Sequence, residues 1–506
     1  MTNLLPNSAR PGSAKTFAGV LTVAATMLIV APVAEIQFFS PSASAAAKNK
    51  TKYAKEKKSK SKKAKTAASI RALERARKRQ VPVRKSKKSA HRTAPTVSHG
   101  AASKGDQIQP TLQDKKAAVL AAPPELLKQI GRHVIVGYHT AQQLTPLLDR
   151  GALGGVFVTK RNARHRTKFH LKKELYGFKK RASDAGQKAF WLATDQEGGS
   201  VSRLSPPLPY QRSLQRAISK LETSDERRAA VAAYATKQAK ELAGLGINLN
   251  FAPVADVNHH TRTIHDRHTR IRRRAIAEDP DVITNVARTY CNALSKEKIR
   301  CTLKHFPGLG RAIHDTHITS ARLKASRDEL AKSDWIPFRQ VLSDTNAFVM
   351  VGHQHVDSID KERPASTSSR IIQKLLRDSW NYDGVVITDD LAMGAIARHY
   401  TGGVRQAAID ALNAGADLVL IGNGGEQAYE VLYALILAHE QKRLNREKLA
   451  ASDARLLKAA KAIRPATNSA RTTTSVPRET PQGKLSGGDK PSVSKDDHTP
   501  SKTARQ

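Results

Sequence analysis

The chain has little cysteine, few acids and few aromatic residues. Only two cysteines, Cys291 and Cys301, occur among 506 residues. Neither lies in a Cys-x-x-Cys or Cys/His spacing, which excludes zinc-ribbon and iron–sulfur chemistry, and no metal is expected. One falls in a predicted helix and the other at the start of a predicted strand, an arrangement expected to leave two buried free thiols. No G-x-G-x-x-G follows the first apolar run, so the dinucleotide fingerprint is absent and no cofactor is expected. No internal repeat is present.

Acids are outnumbered by bases 44 to 86, a formal net charge of +42. Much of the excess lies between Lys48 and Arg92, where 20 basic residues face two acids, Glu56 and Glu74. Apolar residues there are too sparse to offset the chain entropy lost on folding, so 46–123 reads as a disordered Lys/Arg-rich linker. Tyr53 is its one aromatic, which counts against nucleic acid as the partner. Residues 48–92 are instead expected to contact anionic cell-wall polymers or a membrane surface. Ahead of this run, Arg10 and Lys15 precede FAGVLTVAATMLIVAPVA and then the small-residue stretch Ala43–Ala45. That order predicts a signal peptide or uncleaved signal anchor over 1–45, and hence an exported protein, periplasmic or at the cell surface. The Ser/Thr/Lys/Pro-rich stretch 465–506 reads as a second disordered tail.

Between 124 and 464 the pattern changes. Eight short apolar runs alternate with longer amphipathic segments: HVIVGYH, GGVFVTK, AFWLATDQ, INLNFAPV, RCTLKHFPG, AFVMVGH, GVVITDD and ADLVLIGN. Runs this short and this rich in β-branched residues suit strands buried on both faces. Intervening stretches such as SDERRAAVAAYATKQAKELAGLG read as helices, with Ser224 or Asp225 as cap and Gly244 near the end. Eight strand–helix units predict an α/β fold, a single closed (β/α)8 barrel of the TIM type, with an open doubly wound sheet as the alternative. In such a barrel chemistry sits where strands end. Polar groups gather there: DQEGG, KHFPG, GHQH and the DD of TDD.

These segments resemble, in order, the catalytic barrel of glycoside hydrolase family 3, in its NagZ-like bacterial β-N-acetylglucosaminidase (β-N-acetylhexosaminidase) branch. The likeness covers about 125–430 and rests on GGVFVTKRN, TDQEGGSVSRL, FAPVADVN, RAIAEDP, KHFPG with D-x-H after it, MVGH and TDDLAM. It implies a hydrolase acting on a carbohydrate, an aminosugar glycan. It also implies site roles: Asp389 as nucleophile, His317 as general acid/base with Asp315 as its partner, and Asp195, Arg203, Arg274, Lys304 and His305 as substrate-binding groups. His353 is expected to support the site.

The residue types suit that chemistry. A retaining glycosidase needs a carboxylate under the anomeric carbon and a proton donor beside the leaving oxygen. Asp389 directly follows an apolar strand, which would hold it rigidly, and Asp390 is free to cap the next helix. An imidazole titrates near neutrality, so His317 can give and take a proton once Asp315 fixes its tautomer. Gly308 and Gly310 suggest a mobile loop that carries it over the substrate. Trp191 and Phe251 read as core. A metal among His259, His260, His265 and His268 is not expected, since their spacing follows no metal-ligand order with the nearby carboxylates. Three departures from the family pattern bear on specificity: Ser200 for an arginine, Leu309 for a histidine, and Ala-Ile-Ala after Arg274. A β-glucosidase, a glycoside phosphorylase and a catalytically idle glycan-binding protein remain as alternatives.

Overall fold

The computed structural model of the protein describes residues 110–264, 266–422 and 424–463. The predicted signal segment, most of the basic linker, contact region 48–92 and the tail 465–506 lie outside the described residues. The fold begins before the boundary at 124. Leu112–Ala121 is already helical, capped by Thr111, with Val119 fully buried. That helix has almost no amphipathic periodicity, which is why the sequence pattern passes over it.

Eight parallel strands close into a barrel: β1 Val134–Gly137, β2 Gly155–Val158, β3 Trp191–Thr194, β4 Leu249–Asn250, β5 Arg300–Phe306, β6 Phe348–Val351, β7 Val386–Asp390 and β8 Leu418–Ile421. Each pairs with its neighbours in sequence, and β8 returns to β1 in the register Ile135↔Leu420. The closed barrel, and not the open doubly wound sheet, is therefore the fold.

The two-residue strand period divides the core into two layers. Ile135, Trp191, Leu249, Phe251, Phe348, Met350, Ile387, Leu418 and Leu420 fill the barrel interior. Their neighbours Val134, Val136, Leu192, Val349, Val386, Val419 and Ile421 face outward under the helices. Both faces of each strand are thus apolar, and the sequence shows runs instead of alternation. The helix Ser224–Leu245 is capped one residue earlier than the sequence suggests. Thr223 accepts from the Glu226 amide and Glu226 reaches back, while Gly246, not Gly244, closes it with φ 86°.

The expectation of free thiols is overturned: Cys291 and Cys301 form a disulfide, Cα atoms 5.3 Å apart. Cys291 lies in the helix Pro280–Lys296, which folds directly back onto β5 and its Cys301. Ten residues of separation say nothing of that return angle; the packing of helix on strand sets it.

Candidate active site

At the C-terminal ends of the strands lies a cavity of about 350 Å³. Its apolar floor includes Phe157, Phe251, Met350 and Leu420, and its wall carries every predicted site residue except Asp315, which sits behind His317. The strand ends bring them together. Asp195 follows β3, Lys304 and His305 end β5, and Asp389 and Asp390 end β7.

One wall is a buried ion network. Arg274 grips Glu197 through two parallel bonds, Nε to Oε2 at 2.9 Å and Nη2 to Oε1 at 2.6 Å. Lys304 Nζ lies 2.8 Å from Glu197 Oε1 and 2.7 Å from Asp195 Oδ1. Burial opposes ionisation of Glu197, but Arg274 and Lys304 outweigh it and hold the carboxyl well below its usual range. Burial likewise opposes the charge on Lys304, yet Asp195 and Glu197 raise its affinity for the proton. Arg203 is looser, its Nε 3.9 Å from Asp195 Oδ2. His305 is fixed by Asp256, Nδ1 to Oδ2 at 2.7 Å, and Asp256 also accepts from the amides of His305 and Leu309.

The Asp–His pair adjoins this network, since Arg274 Nη1 donates to the Thr269 carbonyl at 2.7 Å and the Thr269 hydroxyl donates to Asp315. His317 Nδ1 lies 3.0 Å from Asp315 Oδ1, and that oxygen also accepts from the His317 amide at 3.0 Å and the Thr269 hydroxyl at 2.6 Å. Asp315 Oδ2 accepts from the amides of His268 at 2.9 Å and Thr269 at 3.3 Å. Burial alone would raise its pKa, but His317, Thr269 and the amides of His268 and His317 hold it far below the carboxylate range. An ionised Asp315 can only accept, so His317 Nδ1 carries the proton and Nε2 is left for a substrate. The His317 side chain is 36 % exposed, and His268 lies against it with ring centroids 5.3 Å apart.

Asp389 lines the same cavity. Burial opposes its charge, but facing imidazoles, His305 first, and the Asp390 amide hold its pKa below the ordinary value. Its neighbour behaves oppositely. Burial pushes Asp390 up to about 6, against the amides of Gly422 and Ala392. Asp390 caps no helix, because the next one starts at Gly394 with Met393 at its N-cap. Its Oδ1 accepts from the Ala392 and Gly422 amides at 2.9 and 2.7 Å, tying β7 to the turn after β8. His353 does support the site: Nε2 bonds the Asp390 carbonyl at 3.0 Å and Nδ1 bonds Ser366 Oγ at 2.8 Å. Its burial lowers its pKa, against the nearby charge of Asp389.

The two loop glycines serve close packing. A Cβ on Gly310 would fall 1.9 Å from the Val257 carbonyl, and Gly308 adopts φ 116°. Leu309 is buried in the core, and Ala275 and Ile276 are as well, and none of the three lines the cavity. Ser200 is exposed on the turn of a hairpin. His259 and His260 pair with Asp334 and Glu278. Among the described residues no group of three or more His, Cys, Asp or Glu could hold a metal ion. Sequence reasoning assigned no site role to Glu197, Asp256 and Thr269, and His268 entered only as an unsuited metal ligand. Glu197 and Asp256 were visible inside TDQEGG and FAPVADVN, while His268 and Thr269 sit in an irregular loop with no pattern.

A parallel barrel whose strand ends gather an aspartate, a Lys–Arg–carboxylate network and an Asp-backed imidazole round one cavity offers the donors and acceptors that a polyhydroxylated substrate requires. The comparisons agree on the class of enzyme. The model for the glycosyl hydrolase family 3 N-terminal domain matches residues 125–459, and the chain belongs to that family; it is a glycoside hydrolase. It is 32% identical over 289 residues to a beta-hexosaminidase of Stenotrophomonas maltophilia, covering 57% of this chain and 81% of that one. A beta-hexosaminidase of Idiomarina loihiensis is 30% identical over 316 residues, 62% of this chain and 89% of its own. Among solved structures, a family 3 beta-N-acetylglucosaminidase from Paenibacillus sp. superposes with TM-score 0.61 at 26% identity, covering 70% of this chain and 66% of that longer one. A family 3 member from Mycobacterium smegmatis gives TM-score 0.58 at 30% identity over 67% of this chain and 98% of its own.

Proposed function

We propose that the protein is an exported, retaining exo-β-N-acetylhexosaminidase that removes terminal β-N-acetylglucosaminyl residues from cell-wall-derived or other aminosugar glycans. The observation that carries this reading is that Asp389, its pKa held low, and Asp315-backed His317 line one sugar-sized cavity. An Asp389 oxygen attacks the anomeric carbon as the glycosidic C–O bond breaks, and His317 Nε2–H protonates the leaving oxygen. Water then attacks the glycosyl–Asp389 ester, giving its proton to His317 and releasing the sugar with its configuration retained. Asp195, Arg203, Arg274, Lys304 and His305 bind the sugar hydroxyls, with Lys304 presenting Asp195 as acceptor. The N-acetyl specificity follows the named activity of the relatives. Export is supported by the signal-like N-terminal sequence and by the Cys291–Cys301 disulfide, a bond that persists in oxidising compartments. The basic stretch 48–92 then faces wall or membrane polyanions.

The test is turnover of chromogenic N-acetylglucosaminide and glucoside, each with and without phosphate, with the product anomer followed by NMR. Release of the β-anomer of N-acetylglucosamine, independent of phosphate, is expected. A sugar 1-phosphate would make the enzyme a phosphorylase, faster turnover of glucoside a glucosidase, and an initial α-anomer would overturn the retaining mechanism.

A further inference from the structure

The opposite end of the barrel holds a larger groove, about 1180 Å³, that the glycosidase reading does not use. It runs past the first residues of β5 and β6, Arg300 and Phe348, and past Val385 just before β7. Part of its wall is apolar and aromatic, with Trp335, Leu342, Leu375, Trp380 and Tyr382, and neutral polar side chains such as Gln340, Ser343 and Asn381 line the rest. Five cations and one acid, Asp383, also line it. Arg455 and Lys458 are paired, with Asp417 and Asp383. Arg300, Arg327 and Arg339 have no acid partner among the described residues.

Arg300 is the unusual one, because it is 4 % exposed. Its Nη atoms reach two backbone carbonyls, of Asn346 at 3.5 Å and Ala459 at 3.3 Å, and its buried Nε has no partner. Burial lowers its hold on the proton, countered by the Tyr382 hydroxyl and by no carboxylate. A buried guanidinium without a counter-charge is costly, and an anion seated nearby removes that cost.

We propose that this groove is a second binding site, for an amphiphilic anion: a carboxylate or phosphate head near Arg300, Arg327 and Arg339, and an alkyl body against Trp335, Leu375 and Trp380. The ring geometry disfavours a sugar. Trp380 packs edge-to-face with Trp335 at 5.9 Å and with Phe306 at 5.2 Å, and Trp335 is buried, so no open ring platform is offered. The chain's own continuation from 464 carries eight Lys or Arg against four Asp or Glu, the same sign as the groove.

Two of the three tryptophans line the groove, and the third, Trp191, is inside the barrel. Tryptophan fluorescence of the full chain therefore reports on it. Decanoate and decyl phosphate, below their micellar concentrations, should give a saturable change that Arg339→Ala and Arg327→Ala each weaken about fivefold or more. Arg300→Met should abolish it, and Trp380→Phe should remove much of the signal. Hydrolysis of chromogenic N-acetylglucosaminide by the Arg339 and Arg327 variants should stay at the wild-type level, which certifies their fold. A response to decyl phosphate alone defines a phosphate head; a response to both defines any compact anion. Equal binding of inorganic phosphate would overturn the alkyl part, and equal binding of octyl glucoside the anionic part. No saturable change, or an unaltered one in the arginine variants, would overturn the site.

Discussion

His317 Nδ1 and Asp315 Oδ1 lie 3.0 Å apart, two residues apart in sequence, because the intervening Thr316 is turned inward and buried. The carboxylate in this pair is saturated with donors from its own loop and from the loop after β4. His317→Ala removes the proton donor and leaves Asp389 in place. Turnover should fall by roughly 10²–10⁴ on substrates with poor leaving groups and far less on activated aryl glycosides. Equal losses on both, in a leaving-group series of kcat/KM, would remove His317 from the acid/base role.

Thr269 competes with His317 for one oxygen of Asp315, donating at 2.6 Å from its hydroxyl. Losing that donor leaves Asp315 a stronger partner for the imidazolium. The groups facing His317 are Asp315, His268, His353, Asp389 and Asp390. In Thr269→Val these stay while Asp315 loses a donor, so the change should appear in the leaving-group dependence of kcat/KM and not in KM alone. Thr269→Ser should restore the wild-type dependence. Equal losses on good and poor leaving groups in the Val variant would reduce Thr269 to a packing residue.

Glu197 neutralises both Arg274 and Lys304 from a nearly closed position, 7 % exposed. Glu197→Gln should destabilise the fold by about 3 kcal/mol at neutral pH, since two buried cations then share Asp195 alone. The sign of the pH dependence is set by the lowered pKa of Glu197. Its stabilisation is present above the ordinary Glu value and is lost as pH falls through the folded one. Urea midpoints of wild type and variant should therefore converge in acid. A constant gap would show that the loss is packing and not charge.

Asp390 has the opposite sign. Its folded pKa of about 6 exceeds the ordinary value near 3.9. Below about pH 4 the carboxyl is neutral folded or unfolded and costs nothing. From there to about 6 only the unfolded chain releases the proton, so stability falls, by up to about 3 kcal/mol. Asp390→Asn keeps the acceptor for Ala392 and Gly422 and removes this titration. The Tm of the variant relative to wild type should rise between pH 4 and 7. A flat difference would mean that Asp390 does not titrate in the fold.

Much of the barrel is legible in the chain because a strand covered on both sides must be apolar at every position, and eight such runs stand out from the helices between them. The weakly periodic helix at 112–121 is less legible, because its stability comes from neighbours and not from its own pattern. The carboxylates and bases at strand ends could be named for the same reason the strands could. The places of His268 and Thr269 beside the Asp–His pair could not, since an irregular loop has no period to read.

By itself, then, the sequence determined the succession of buried strands, the chemical types placed where each strand ends, and an excess of positive charge. Closure of the barrel decided the rest. It brought side chains from β3, β5 and β7 into one cavity, bent a helix back so that Cys291 meets Cys301, and left Arg300 buried without a counter-charge. Those outcomes depend on angles between elements, which follow from how the whole core packs and are written in no single segment.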